Sequence, residues 1–108
     1  MIHELRQYTC TPGSLPAVIN RFEVATVALF TKHGIRPIGF WTTLIGESHQ
    51  QLHYLLEWES LADRERKWGA FMGDAEWQRV VAETEKNGAL VSAIRNQMLK
   101  PTGFSPLQ

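Results

Sequence analysis

The order in which strand-like and helix-like segments follow one another is the feature of this sequence that most limits its possible folds. Residues 2–9 predict a strand, which ends at a Thr-Pro-Gly-Ser cluster of the kind that stops a strand and opens a helix. From Leu15 to Phe30, apolar residues recur at spacings of three and four, the period of one face of a long helix. Gly34 follows where a left-handed C-terminal cap is expected. The chain therefore opens with a strand and a long helix.

The next segments predict a hairpin. Residues 35–46 are rich in β-branched and aromatic side chains, which strands prefer. Residues 47–50 indicate a turn, and residues 51–59 indicate a second strand. We therefore expect the second and third strands to pair directly.

Two helical pieces and a last strand complete the order. Ser60 and Asp63 resemble a capping box at the start of a helix, which breaks at Gly73. Asp74 is placed to cap a further piece, and residues 89–99 predict the last strand. The resulting β-α-β-β-α-β order is the ferredoxin-like arrangement, an α+β fold with a four-stranded antiparallel sheet and helices on one face. Right-handed crossovers place the first and third strands in the centre of that sheet.

The other face of this sheet has no covering element within the chain. On the predicted second strand both sides carry apolar groups, with Phe40 and Leu44 on one side and Trp41 and Ile45 on the other. A sheet that is apolar on both faces but has helices over only one is expected to bury its second face against a partner. We therefore predict a homodimer that packs sheet to sheet.

The charge balance narrows the classes of partner. The chain has 11 Lys and Arg against 11 Asp and Glu, a formal net charge of +0. Nucleic-acid binding requires clustered basic residues, so no nucleic-acid partner is expected. The length of 108 residues, 44% of them hydrophobic, suits a single domain over residues 1–108. The sequence shows no signal-peptide pattern and no apolar run near the roughly 20 residues that span a bilayer, so we expect a cytoplasmic protein with no membrane span.

Two residues of the predicted first strand are candidates for ligand contacts. Arg6 and Tyr8 point to the same side of that strand, which is central in the expected sheet. Arg6 can hold a carboxylate or an enolate by paired hydrogen bonds, with Tyr8 as donor or proton shuttle. The alternative is a structural ion pair of Arg6 with Glu57 or Glu4.

The remaining candidates are a histidine, two tryptophans and an amide. His53 lies in the middle of the third strand and is either a general base or a hydrogen-bonded structural residue. Trp41 and Trp58 either line a flat apolar cavity or fill the core. Asn96 lies inside the last strand and either orients a substrate oxygen or binds a neighbouring strand.

No metal or cofactor is expected. His49 and His53 are four residues apart, but four strand residues separate side chains by about 13 Å, too far to share a metal ion. Cys10 is the only cysteine, so neither an intrachain disulfide nor a cysteine metal cluster can form. The sequence also lacks the glycine-rich loops that bind ATP or dinucleotides.

Several segments resemble one known family. The opening Glu-Leu-Arg-Gln-Tyr at residues 4–8, followed by Pro-Gly at 12–13, is similar to the start of NIPSNAP domains. Residues 38–41 and the pair Asp74 and Trp77 also resemble the family, and residues 98–106 resemble its Leu-Leu-x-Pro-Thr-x-Phe-Ser-Pro close most strongly. The resemblance implies the dimeric α+β barrel superfamily, in which two ferredoxin-like sheets join into one barrel. It implies no particular chemistry, because that superfamily includes cofactor-free monooxygenases, haem-degrading enzymes and simple ligand binders.

These observations lead to one expected function with two alternatives. The expected function is the binding of a small organic molecule in a pocket between sheet and helices. Its contact residues are predicted to be Arg6, Tyr8, Trp41, His53, Trp58 and Asn96. One alternative is a cofactor-independent monooxygenase or isomerase that stabilises an anionic intermediate, with Arg6 and His53 as the catalytic candidates. The other is a protein-interaction module whose dimer surface is its whole function.

Overall fold

A computed structural model describes all 108 residues and shows one four-stranded antiparallel sheet. Its strands are β1 (Ile2–Cys10), β2 (Arg36–Thr42), β3 (Gln51–Trp58) and β4 (Val91–Leu99). They lie in the order β2-β3-β1-β4, so β1 and β3 are central, as the sequence predicted. The edge strands are therefore β2 and β4.

The helices all follow the predicted chain order. They are α1 (Leu15–Arg21), a π-helical segment (Phe22–Thr26), α2 (Val27–Lys32), α3 (Leu61–Met72) and α4 (Ala75–Thr84). This confirms the ferredoxin-like β-α-β-β-α-β arrangement, with the second helical region in two pieces. No helix combines the length and apolar character needed to cross a membrane.

The π-helical segment was not predicted, and it keeps one buried stripe on the sheet. Val18, Phe22, Thr26 and Phe30 are buried and recur every four residues. On an α-helix of about 3.6 residues per turn, each four-residue step would turn the stripe by about 40°. The wider turn, in which the Val27 N–H donates to the Phe22 carbonyl, offsets this drift.

Strand β2 ends at Thr42, four residues before the predicted end. Strand β3 begins at Gln51, and its Leu52 pairs with Thr42. Residues beyond Thr42 therefore have no ladder partner, and Leu44 and Ile45 lie in an exposed loop despite their strand propensity. Strand propensity alone does not extend a strand past its pairing partner.

The two faces of the sheet differ in burial. On β3, the alternate residues Leu52, Tyr54, Leu56 and Trp58 are buried beneath the helices. The residues between them point to the opposite face, where they are only partly buried and where no helix lies. Leu5 on that face is 37% exposed. We call this uncovered side the open face.

Candidate ligand-binding site

A cavity of about 520 Å³ lies between the helix-covered face of the sheet and helices α3 and α4. Trp68, Phe71 and Trp77 form its helix wall, and the side chains of β1 and β4 form the opposite wall. The cavity exists because the helices stop short of β4. Ile94 and Met98 point toward the helices yet are 53% and 38% exposed. The cavity therefore opens to solvent beside Ile94.

Arg6 lies at the sheet end of the cavity. Its Nε donates to the Tyr54 hydroxyl oxygen at 2.7 Å and its Nη1 donates to Glu4 at 2.9 Å. Its guanidinium lies 4.5 Å from the centre of the Trp68 ring. Burial lowers the pKa of Arg6, but the neighbouring tyrosines and Glu4 raise it by more, so its pKa is held above the ordinary value. Arg6 is a permanent cation, and its Nη2 has no acceptor in the protein.

Two tyrosines, Tyr54 and Tyr8, form a hydrogen-bond chain with Arg6. Because the Tyr54 oxygen accepts from Arg6, the Tyr54 hydroxyl donates onward to the Tyr8 oxygen at 3.0 Å. Burial above all, and the adjacent Tyr8, raise the pKa of Tyr54 well above its ordinary value. The hydroxyl proton of Tyr8 has no acceptor in the protein, and Tyr8 lines the cavity. Tyr8 is therefore the last donor of a hydrogen-bond chain that starts at Arg6.

Glu4 holds Arg6 in place. Its carboxylate is fully buried and accepts five hydrogen bonds, two from Arg64 and one each from Arg6, Asn96 and Trp58. Burial raises the pKa of Glu4, but the hydrogen bonds from Arg64, Asn96 and Arg6 lower it by more, to about 2. Glu4 therefore stays ionised, and the cluster of Glu4 with two arginines carries one net positive charge.

Arg21 lies at the other end of the cavity. Its Nη1 donates to Glu85 at 3.1 Å and to Thr84 at 3.2 Å, and its guanidinium is 5.5 Å from the centre of the Trp77 ring. The carboxylate of Glu85 neutralises its charge. Its Nε is buried without a partner. The net positive charge of the cavity therefore comes from the Arg6 end.

The structure divides the six predicted contact residues between the two faces of the sheet. Arg6 and Tyr8 line the cavity. Trp58 is buried on the same face, and it and Asn96 each donate to Glu4 at 3.0 Å. These two residues do not line the cavity; they hold Glu4, which in turn binds Arg6. Of the two ion pairs proposed for Arg6, the one with Glu4 forms.

Trp41 and His53 lie on the open face and do not line the cavity. The two residues pair across β2 and β3, so their side chains point to the same side. His53 Nε2 is 2.9 Å from the Thr43 hydroxyl, and its Nδ1 is 3.4 Å from the Gln7 amide. A hollow of about 140 Å³ lies beside His53 on this face. The cavity and this hollow are separate sites on opposite sides of the sheet.

Two arginines near the cavity were not predicted from the sequence. In the sequence, Arg64 stands among the alternating charges of residues 63–67, which are typical of a solvated helix face, and Arg21 lies among the polar residues of the first helix. Arg64 instead binds Glu4, and Arg21 is 5% exposed. The usable signal for Arg64 was its spacing, since Arg64, Trp68 and Phe71 follow the i, i+4, i+7 pattern of one helix face.

Comparison with known proteins agrees with this fold over nearly the whole chain. The NIPSNAP family model matches residues 3–106. The crystal structure of an uncharacterised NIPSNAP-like domain protein from Burkholderia xenovorans is 30% identical, with a TM-score of 0.85, over 97% of this chain and 88% of that one. A NIPSNAP family protein from Agrobacterium tumefaciens is 27% identical, with a TM-score of 0.88, over 99% of this chain and 98% of that one.

A more distant likeness concerns the fold alone. A putative antibiotic biosynthesis monooxygenase from Chloroflexus aurantiacus is 14% identical, with a TM-score of 0.59, over the full length of both chains. At this identity the likeness shows the fold alone, the ferredoxin-like α+β arrangement. No curated protein matches the chain. The match of the family model to residues 3–106 shows that this chain belongs to the NIPSNAP family.

Proposed function

We propose that the protein is a homodimer in which each protomer binds a small organic molecule in the cavity between sheet and helices. The observation that carries this proposal is the cavity itself. Its volume of about 520 Å³ falls in the range of small-molecule sites, and it combines apolar walls with few polar groups. A core filled by its tryptophans would instead have favoured a protein whose dimer surface is its whole function.

The helix wall suits a flat apolar ligand. The Phe71 and Trp77 rings lie 4.7 Å apart, and the Trp68 and Phe71 rings lie 5.2 Å apart, so the three pack as one aromatic surface in which Trp68 and Trp77 are partly exposed and Phe71 is buried between them. Such a surface offers a large contact area with little conformational freedom to lose on binding. Arg6 and Tyr8 supply the polar contacts that fix the orientation of the ligand.

The open face supports the homodimer. Trp41 is 54% exposed and Leu5 is 37% exposed on a sheet surface that no helix covers. A second copy of the chain would bury these apolar groups, sheet against sheet. Trp41 and His53 then belong to the contact between protomers, and their part in ligand binding would be indirect.

Ligand binding is tested by narrowing the cavity from its open side. Native mass spectrometry of the purified protein should show a retained small molecule, or a Kd for one should be measurable by calorimetry. Ile94→Trp places a large side chain at the mouth of the cavity and should abolish this binding. Met98→Trp is the matched control, since Met98 lies on the same face of the same strand but does not line the cavity. Equal binding by the two variants would contradict the proposed site.

The dimer is tested separately by light scattering. Leu5→Glu introduces a charge in the middle of the open face and should convert a dimer into a monomer at micromolar concentration. Val24→Glu introduces the same charge at a 67% exposed helix position and should leave the dimer intact. A monomeric wild-type protein at this concentration would remove the homodimer from the proposal.

A further inference from the structure

We propose that the ligand of the cavity is an organic monoanion, a carboxylate or an enolate on an apolar body, with its charged oxygens bound by Arg6 and Tyr8. This inference rests on the proposed function, because it requires that the cavity holds a ligand. It goes further by naming the chemical class of that ligand and the atoms that recognise it.

The charges around the cavity leave one positive charge uncompensated. Arg21 is neutralised by Glu85 at 3.1 Å. The carboxylate of Glu4 is shared between Arg6 at 2.9 Å and Arg64 at 2.8 Å. A charge beside an apolar wall is poorly screened, so a ligand with one negative charge gains more there than a neutral ligand of the same shape.

The free hydrogen-bonding groups at the Arg6 end are all donors. Arg6 Nε is used by Tyr54 and Nη1 by Glu4, which leaves Nη2 for a ligand. The Tyr54 hydroxyl donates to Tyr8, so the remaining proton of Tyr8 is also left for a ligand. Two donors with no acceptor beside them match an oxygen-rich group that only accepts.

The direction of the hydrogen-bond chain strengthens the Tyr8 donor. A guanidinium that donates to Tyr54 polarises the Tyr54 hydroxyl, and this hydroxyl in turn polarises that of Tyr8. The cation Arg6 thus acts on an anionic oxygen twice, directly through Nη2 and indirectly through Tyr8. A carbonyl oxygen that becomes an enolate would gain from the same two donors.

The aromatic residues beside Arg6 indicate what carbon skeleton the ligand has. Trp68 contacts both the Arg6 guanidinium, 4.5 Å from its ring centre, and the Phe71 ring, whose centre is 5.2 Å away. A carboxylate bound at Arg6 therefore has its carbon skeleton directed along Trp68 and Phe71. An aryl acetate or a comparable aromatic acid has this combination of charge and flat body.

The experiment compares phenylacetate with phenylacetamide, an uncharged molecule of nearly the same shape, and adds indole as an aromatic probe without a carboxylate. Binding of all three is measured by ligand-observed NMR, and binding of the two phenyl probes also by quenching of tryptophan fluorescence. We expect wild-type protein to bind phenylacetate at least about tenfold more tightly than phenylacetamide. Tyr8→Phe should weaken phenylacetate binding by about tenfold and leave indole binding unchanged. Tyr54→Phe is the matched control, since it leaves the Tyr8 hydroxyl in the cavity and should have the smaller effect.

The outcomes separate this inference from the proposed function. Equal affinity for phenylacetate and phenylacetamide, or binding of indole alone, would overturn the anionic ligand while leaving the cavity as a binding site. Failure of all three probes to bind would overturn both. If Tyr8→Phe does not fold, as judged by its thermal unfolding, the comparison of the two phenyl probes on the wild-type protein decides the question.

Discussion

Replacing Glu4 by glutamine should destabilise the fold, because the variant removes the charge that the buried Arg6 and the partly buried Arg64 share. The pKa of Glu4 falls from its ordinary value of 4.5 to about 2 in the folded protein. At about 1.36 kcal/mol per pH unit, this difference corresponds to about 3 kcal/mol in favour of the charged form. Glu4→Gln is therefore expected to lower the free energy of unfolding by about 3 kcal/mol and the Tm by on the order of 10–20 °C.

The same reasoning predicts a pH dependence with a definite sign. The pKa of Glu4 is lower in the folded than in the unfolded chain, so its contribution is fully present above pH 4.5. This contribution is lost as the pH falls toward 2. Urea unfolding of the wild-type protein between pH 6 and about 2 should show this loss of stability. In Glu4→Gln the free energy of unfolding should fall less over the same range, because the variant has no carboxyl group at position 4 to protonate. All curves are measured at one protein concentration, because association would otherwise shift the midpoint.

Two further variants make the test of Glu4 decisive. Glu57→Gln on the open face is the control, because Glu57 pairs with the exposed Arg36 at 3.7 Å. This substitution should lower the free energy of unfolding by less than about 1 kcal/mol. Asn96→Ala removes one donor from Glu4 and should raise the pH at which stability is lost, even if Glu4→Gln does not fold. The reasoning would be refuted if the free energy of unfolding of Glu4→Gln were within about 1 kcal/mol of the wild-type value and fell with decreasing pH in the same way.

Three other predictions concern local features. Ser60→Ala removes the acceptor of the Asp63 N–H at the start of α3 and should cost about 1 kcal/mol in urea unfolding, whereas Ser60→Asp should restore the loss. The contacts of Asp74 with Lys32 and His33 hold its pKa well below the ordinary value, so Asp74→Ala should lower the Tm near pH 7 and converge with wild type at strongly acidic pH. An unchanged Tm at pH 7 would contradict this. Gly39→Ala places a Cβ 2.8 Å from the Trp41 ring, so tryptophan emission should change while the Tm stays near wild type.

The sequence predicted the fold well because the decisive signals are local. The alternation of residues in β3 puts Leu52, Tyr54, Leu56 and Trp58 on one side of the strand, and the structure buries all four together. The capping residues Ser60 and Asp74 placed the starts of α3 and α4 correctly. Chain order and crossover handedness then fixed the strand order, since few topologies satisfy both.

The cavity was harder to predict because it depends on how elements dock. Alternation shows on which side of its own strand each residue lies. It gives neither the register that puts Trp41 opposite His53 nor the residues of α3 and α4 that meet the sheet. The five hydrogen bonds of Glu4 also join residues from four separate elements, β1, β3, α3 and β4. No spacing within one segment carries that information.

The π-helical segment means that the first helical region holds one residue more than a regular α-helix needs to return to the same face. Val18 and Phe30 are both buried and lie twelve residues apart, and at about 100° per residue an α-helix would turn about 120° past whole turns over that distance. Eleven residues would end within about 20° of whole turns. A related chain with one residue fewer after the counterpart of Arg21 can therefore keep the same buried stripe as an uninterrupted α-helix. The first helical region should accordingly tolerate a one-residue gap between relatives at Phe22–Thr26 without a change in how Arg21 meets the cavity.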